Sequence, residues 1–196
     1  MQQDNLPRAL RRTGREVVAT REPGGTEEAE AVRALLVGGA PGRWDPVAET
    51  LLHYAARAQH VVRLVRPALE RGAAVLSDRF ADSTMAYQGF GQGVARETIR
   101  AIHAAALGRF APDLTLILDL PVETGLARAA GRRATNRYER FDAAFHLRVR
   151  EGFLTIAREE PGRCVVIDAA RPPDAVWAAI AAAVSGRLRL DLEDAA

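Results

Sequence analysis

AAVLSDRFADSTMAYQGFGQG, residues 73–93, is the stretch that decides the fold. It opens on a short apolar run without polar alternation, the pattern of a parallel strand covered on both faces. The run ends in Asp78 and Arg79 and passes into a polar stretch whose glycines read as a loop. An acid and a guanidinium at the carboxyl end of such a strand stand where open α/β sheets bind ligands.

Working outward, helical and strand patterns alternate. The opening reads as a short helix, with Asp4 or Asn5 as cap and Pro7 in its first turn, stopped by Gly14. A strand is expected near residues 16–19, a helix over 27–37, a loop over 38–45, and a long helix over 46–70 kinked at Pro67. Beyond the central strand, 96–107 reads as a helix apolar enough to be largely buried, and LTLIL at 114–118 as a strand. Helices over 122–133, 144–159 and 173–188 and a strand over 164–167 complete the pattern. Strands alternating with helices argue a parallel α/β sheet, and 196 residues suit one domain.

Composition narrows the function. A formal charge of +2 gives no basis for a nucleic-acid partner. All 27 basic residues are Arg and Lys is absent, a bias that a GC-rich genome explains as readily as chemistry does. Cys164 is the one cysteine and has no partner for an internal disulfide. With no signal peptide and no apolar span of about 20 residues, a cytoplasmic protein away from membranes is expected.

Three motifs carry a resemblance. TREPGGT at 20–26, LLHYAARAQ at 51–59 and SDRFADSTMAYQGFGQG at 77–93 resemble thymidylate kinase, in the order that family has them. The resemblance implies a three-layer α/β/α fold of the phosphate-loop NTPase type, ATP and dTMP as substrates, Mg²⁺ as cofactor and a homodimer. The dimer contact expected is an apolar helix around residues 61–69.

The residues support such chemistry on their own terms. A guanidinium grips two oxygens of a dianionic phosphate at once, so Arg79 is the first candidate for the acceptor phosphate and for catalysis. The plain alternative is a structural Asp78–Arg79 ion pair. In TREPGGT, Pro23 fixes a turn and Gly24 and Gly25 let backbone approach a ligand; by resemblance Arg21 and Pro23 line the acceptor pocket. His53 and Arg57, four apart, share a helix face, and the family places a thymine-stacking ring and a base- or phosphate-reading Arg there. Ser83, Thr84 and Gln88 offer the donors and acceptors that the edge of thymine needs. Tyr87 matches the family's aromatic near the sugar, or is a core tyrosine. His60 and His103 read as helix-surface histidines. Phe80 stands where the family usually has Tyr or His.

GRRATNRYER at 131–140 resembles the lid, about 131–142, that closes over ATP. Its Arg132, Arg133 and Arg137 are candidates for binding ATP and neutralising the transferring phosphoryl group, Arg133 and Arg137 catalytically. Glu139 matches a lid acid near the metal, and Asp78 an acid that holds Mg²⁺ through water. The family's GxxxxGK(S/T) phosphate loop has no counterpart here, and no Lys exists to replace its own. The chain is therefore expected to begin after the first, central strand and that loop, with its first helix already running before Asp4 and Pro7 inside it, and to be inactive and aggregation-prone alone. The rival expectations are another deoxynucleoside monophosphate kinase and a non-catalytic nucleotide-binding remnant.

Overall fold

The computed structural model describes residues 2–130, 137–190 and 192. Parallel strands alternate with helices, as the sequence implies. α1 (Gln2–Arg12) precedes β1 (Val17–Arg21), and α2 (Glu27–Val37) and α3 (Pro46–His60) follow. A π turn at Val61–Val65 leads into α4 (Arg66–Glu70) and β2 (Ala74–Asp78). Then come α5 (Ala81–Thr84), a second π turn at Met85–Gly91, α6 (Arg96–Leu107), β3 (Thr115–Asp119) and α7 (Val122–Ala130). A 3₁₀ turn at Arg137–Arg140, α8 (Ala143–Glu159), β4 (Cys164–Asp168) and α9 (Pro173–Leu188) complete the order.

Local chemistry sets the helix starts. Thr26 accepts from Ala29 N at 3.3 Å to cap α2, whose first turn carries Glu27, Glu28 and Glu30 against the helix dipole. Asp45 caps α3 through Val47 N at 2.8 Å, with Pro46 at the first helical position. Asp142 caps α8 through Phe145 N at 2.7 Å.

The strands form two parallel pairs. β1 runs beside β2 from Val17↔Ala74 to Arg21↔Asp78, and β3 beside β4 from Thr115↔Cys164 to Asp119↔Asp168. Among the described residues, β2 pairs with β1 alone and β3 with β4 alone. A core of Leu6, Ala9 and Leu10 from α1, Val17, Ile167, and Val176, Ile180 and Val184 from α9 is shared by both pairs. A second core, built on Phe145, Val149 and Ile156 of α8, packs Ala86 and Ile117.

Pro7 is inside α1, which already runs from Gln2, as the resemblance implies, so neither Asp4 nor Asn5 caps it. Three further local expectations change. The long helix breaks at a π turn before Pro67, where Arg66 N bonds back to Val61 O; Pro67 has no N–H and crowds the preceding turn, which the wider turn relieves. The glycine-rich loop is helical through Gly91. Gly91 serves packing, because a Cβ on it would stand 2.6 Å from Phe145 Cε2. Helix α6 buries only Ile99 and Leu107, so it is mostly exposed where burial was expected.

Candidate active site

A cavity of about 340 Å³ opens at the carboxyl ends of β2 and β3, bounded by Arg79 on one side and by Leu118 and Asp119 on the other. Pro23, His53, Arg57, Arg79, Ser83, Thr84, Tyr87, Gln88 and Glu139 all reach its wall. The structure thus gathers residues from five separate stretches of sequence. Among the described residues the wall does not include Arg21, Asp78 or Arg137. Arg132 and Arg133 lie outside the described residues.

Arg79 sits just past β2 with φ +74, a left-handed backbone that a non-glycine residue adopts only where its surroundings enforce it. Its carbonyl accepts from Ser77 Oγ at 2.8 Å. The guanidinium lies over the Tyr87 ring, 5.1 Å from its centre, and the residue as a whole is exposed. A cation held on a ring at a strand end and lining the cavity suits a phosphate. Asp78 is exposed beside it.

Arg57 is 2 % exposed and fixed from several sides. Its Nε donates to Glu22 Oε2 at 2.6 Å and its Nη2 to Thr84 Oγ1 at 3.0 Å. Tyr54 and Phe80 lie against its face, 4.7 and 5.3 Å from their ring centres. Its Nη1 has no partner among the described residues. Phe80, read only as a departure, is therefore a platform for Arg57.

A second buried carboxylate holds Gln88 and Tyr138, two more residues of the cavity wall. Glu49 accepts from Gln88 Nε2 at 2.8 Å, Gln92 Nε2 at 3.0 Å and the Tyr138 hydroxyl at 3.0 Å, and also from Arg137. A carboxylate only accepts, so the Gln88 amide nitrogen faces Glu49 and its oxygen faces away. The Tyr138 proton goes to Glu49, so His53 Nε2, 2.9 Å from that hydroxyl, is the protonated ring nitrogen. Burial, followed by the charges of Arg57, Arg137 and Arg79, lowers the His53 pKa to about 3, which keeps the ring neutral.

Several residues stand elsewhere than the sequence suggests. Arg137 is fully buried, tied to Glu49 and to the Leu36 carbonyl at 3.0 Å. Arg21 points to Glu30 at 2.9 Å instead of into the pocket. Glu30 also accepts from Gly25 N, the main cause of its lowered pKa, ahead of the pull of Arg21 and Arg33. Gly24 and Gly25 make room for the protein's own side chains: a Cβ would stand 2.3 Å from Glu30 Oε1 at the first and 2.6 Å from Thr20 Oγ1 at the second. His60 is wholly buried instead of lying on a helix surface, whereas His103 is half-buried, edge-on to Tyr54 at 5.8 Å.

Glu22, Glu49, His60, Tyr138 and Arg150 were not anticipated. For two of them, Glu49 and His60, a signal existed, because Glu49, His53, Arg57 and His60 recur at helical spacing and make a polar stripe on an otherwise apolar face. Arg150 carries no such signal. It forks onto Asp119 at 2.7 and 2.8 Å, lowering the Asp119 pKa, and closes the β3 side of the cavity. Among the described residues no group of three or more His, Cys, Asp or Glu could cage a metal ion.

Parallel strands, a cavity at their carboxyl ends, a ring-backed guanidinium and buried carboxylates holding further donors define an α/β protein built for an anionic, hydrogen-bonding ligand. The comparisons agree. The family model described as thymidylate kinase matches residues 1–180. Over 181 residues the chain is 56% identical to the thymidylate kinase of Caulobacter vibrioides, covering 92% of this chain and 87% of that one. The thymidylate kinase of Pseudomonas putida (strain W619) is 50% identical over 185 residues, 94% and 89% of the two chains. The crystal structure of thymidylate kinase from Ehrlichia chaffeensis superposes with a TM-score of 0.71 at 34% identity, covering 91% of this chain and 87% of that one. The chain belongs to the thymidylate kinase family.

Proposed function

We propose that the cavity takes dTMP as phosphoryl acceptor and that the protein serves the transfer of the γ-phosphoryl group of ATP to it. The observation that carries this reading is the joint placement of Arg79, Arg57, Thr84 and Gln88 on one wall. Arg79 grips the acceptor phosphate, and Arg57 Nη1, the Thr84 hydroxyl and the Gln88 amide read the base. Neutral His53 stacks on the pyrimidine, and Tyr87, already ringed by Tyr138, Phe145 and Phe153, flanks the sugar. Phosphoryl transfer is mostly positioning and charge stabilisation, so the chain's part is to hold the acceptor oxygen still and keep water out. Mg²⁺, held through water near Asp78, supplies neutralising charge at the phosphates. Arg132 and Arg133 are the lid residues proposed to meet ATP.

The finer fold follows the same reading. A further strand carrying a GxxxxGK(S/T) loop fits between β2 and β3, completing one parallel sheet, and the 196 residues supply no such motif. The unjoined inner edges of the two strand pairs support this. A homodimer is supported by the exposed apolar residues Val47, Leu51, Val62 and Leu69 and by the exposed alanines of α6. A cytoplasmic location belongs to the same reading; no helix among the described residues is long and apolar enough to cross a membrane.

Titration calorimetry with a panel of deoxynucleoside monophosphates tests the reading. dTMP is expected to bind at least about tenfold tighter than dCMP or dGMP. Equal or preferential binding of another base assigns a different acceptor; no binding of any member refutes the site.

A further inference from the structure

Behind Arg57 lies a chain of polar groups, of which Glu22 reaches the cavity wall and His60 and Thr20 do not. Glu22, at the end of β1, is 4 % exposed, and His60, at the end of α3, is wholly buried. Glu22 divides its carboxylate: Oε2 takes Arg57 Nε at 2.6 Å, and Oε1 takes His60 Nδ1 at 2.9 Å. His60 Nε2 then meets Thr20 Oγ1 at 2.8 Å. The carboxylate can only accept, so Nδ1 carries a proton; in the neutral ring Nε2 accepts from the Thr20 hydroxyl, and every polar atom of the relay is satisfied. Gly25 closes it from outside, since a Cβ there would stand 2.7 Å from His60 Cδ2. With Nε held by Glu22 and Nη2 by Thr84, Nη1 is the guanidinium nitrogen left without a partner among the described residues, on a residue of the cavity wall.

We infer that Glu22 and His60 are positioning residues for Arg57, and that their relay makes the site select a base bearing a carbonyl oxygen over one bearing an amino group. A guanidinium offers donors only, so a fixed Nη1 donates to a carbonyl oxygen and finds no acceptor on an amino group. A carboxylate on Nε alone leaves the guanidinium rotation about that bond in check only if the carboxylate itself cannot turn. His60 is what prevents it from turning. This inference rests on the acceptor-site reading above.

The test measures dissociation constants for dTMP and dCMP on the full chain by titration calorimetry. Glu22→Gln is expected to weaken dTMP by about tenfold or more while changing dCMP by less than about threefold, so that discrimination narrows. In the Glu22→Gln background, Arg57→Ala is expected to add less than about twofold, whereas Arg79→Ala adds its full single-variant factor. The His60 pair gives an independent reading should Glu22→Gln fail to fold. His60→Asn keeps an N–H near the Nδ1 position and recovers most of the dTMP affinity, whereas His60→Leu loses about tenfold. Glu22→Gln and His60→Leu that weaken both nucleotides equally, or that add fully to Arg57→Ala, overturn the inference and leave only structural roles. Unchanged dTMP affinity in both variants, with Arg57→Ala still impaired, overturns it while sparing the acceptor site. A chain that binds neither nucleotide removes the acceptor site and the inference together.

Discussion

The Tyr138 hydroxyl and His53 Nε2 stand 2.9 Å apart, although 85 residues separate them in the chain. Through that contact the turn that follows residues 131–136 touches the helix that supplies the base-stacking candidate. The same hydroxyl donates to Glu49, so one tyrosine ties the lid-proximal turn to both the wall and the carboxylate that braces it.

That arrangement has a pH consequence. His53 has its pKa lowered from 6.5 to about 3 in the folded chain, by burial first and then by Arg57, Arg137 and Arg79. Between those values the unfolded chain binds a proton that the folded chain refuses, so His53 contributes stability above its unfolded pKa that is lost as pH falls. His103 and His146, both lowered chiefly by burial, act in the same direction. His53→Gln should therefore make the melting temperature fall less steeply between about pH 7 and 4, without abolishing the slope. A slope identical to that of the parent would show that His53 titrates normally.

Glu49 and Arg137 form an ion pair with no exposure on either side. Glu49→Ala leaves a buried guanidinium without its counter-charge and orphans the Gln88, Gln92 and Tyr138 donors; it should cost about 3–5 kcal/mol in urea unfolding. Replacing both partners, Glu49→Leu with Arg137→Met, removes the buried charges together and should recover a substantial part of that loss. A double variant as unstable as the sum of the singles would contradict a pairwise brace.

Much of this was legible in the sequence. The apolar run before Asp78 and Arg79 placed a parallel strand and its ligand end, and the spacing of His53 and Arg57 placed both on one helix face. What was misread shares a cause. Glycines at 24, 25, 89 and 91 looked like loop and ligand-approach signals, yet at Gly25 and Gly91 the missing Cβ makes room for His60 and Phe145. Composition registers that a Cβ is absent and not what occupies its place. Likewise Arg137 reads as a mobile cation by charge alone, and only tertiary packing supplies Glu49, 88 positions away, to bury it. Arg150 and Glu22 find their partners across the fold, at separations local patterns do not reach.

Arg79 separates binding from backbone strain. At φ +74 its conformation costs on the order of 1–3 kcal/mol for a side-chain-bearing residue, a cost glycine does not carry. Arg79→Gly should therefore keep the melting temperature at or above that of the parent while dTMP affinity falls by about a hundredfold. Arg79→Lys keeps the charge and the strain but loses the two-pronged grip, and should recover little of that affinity. Parent-like binding by Arg79→Lys would mean that a point charge suffices there.

The two strand pairs set the last prediction. β2 and β3 each present an edge that no other described strand joins. A backbone group buried there without a partner costs roughly 1–3 kcal/mol, against a total stability of about 5–15 kcal/mol for a domain. Leu118, at the carboxyl end of β3, is 49% exposed, so apolar surface is uncovered on that strand. Adding a strand that ends in GxxxxGK(S/T) upstream of Met1 should pair both edges, slow amide hydrogen exchange in β2 and β3, and lower the tendency to aggregate. It also supplies the N–H cradle, the Lys and the metal-binding hydroxyl that the 196 residues lack, so ATP-dependent phosphorylation of dTMP should appear only in the extended chain. Fast transfer by the 196 residues alone, or exchange in β2 and β3 already as slow as in paired central strands, would refute the proposed insertion.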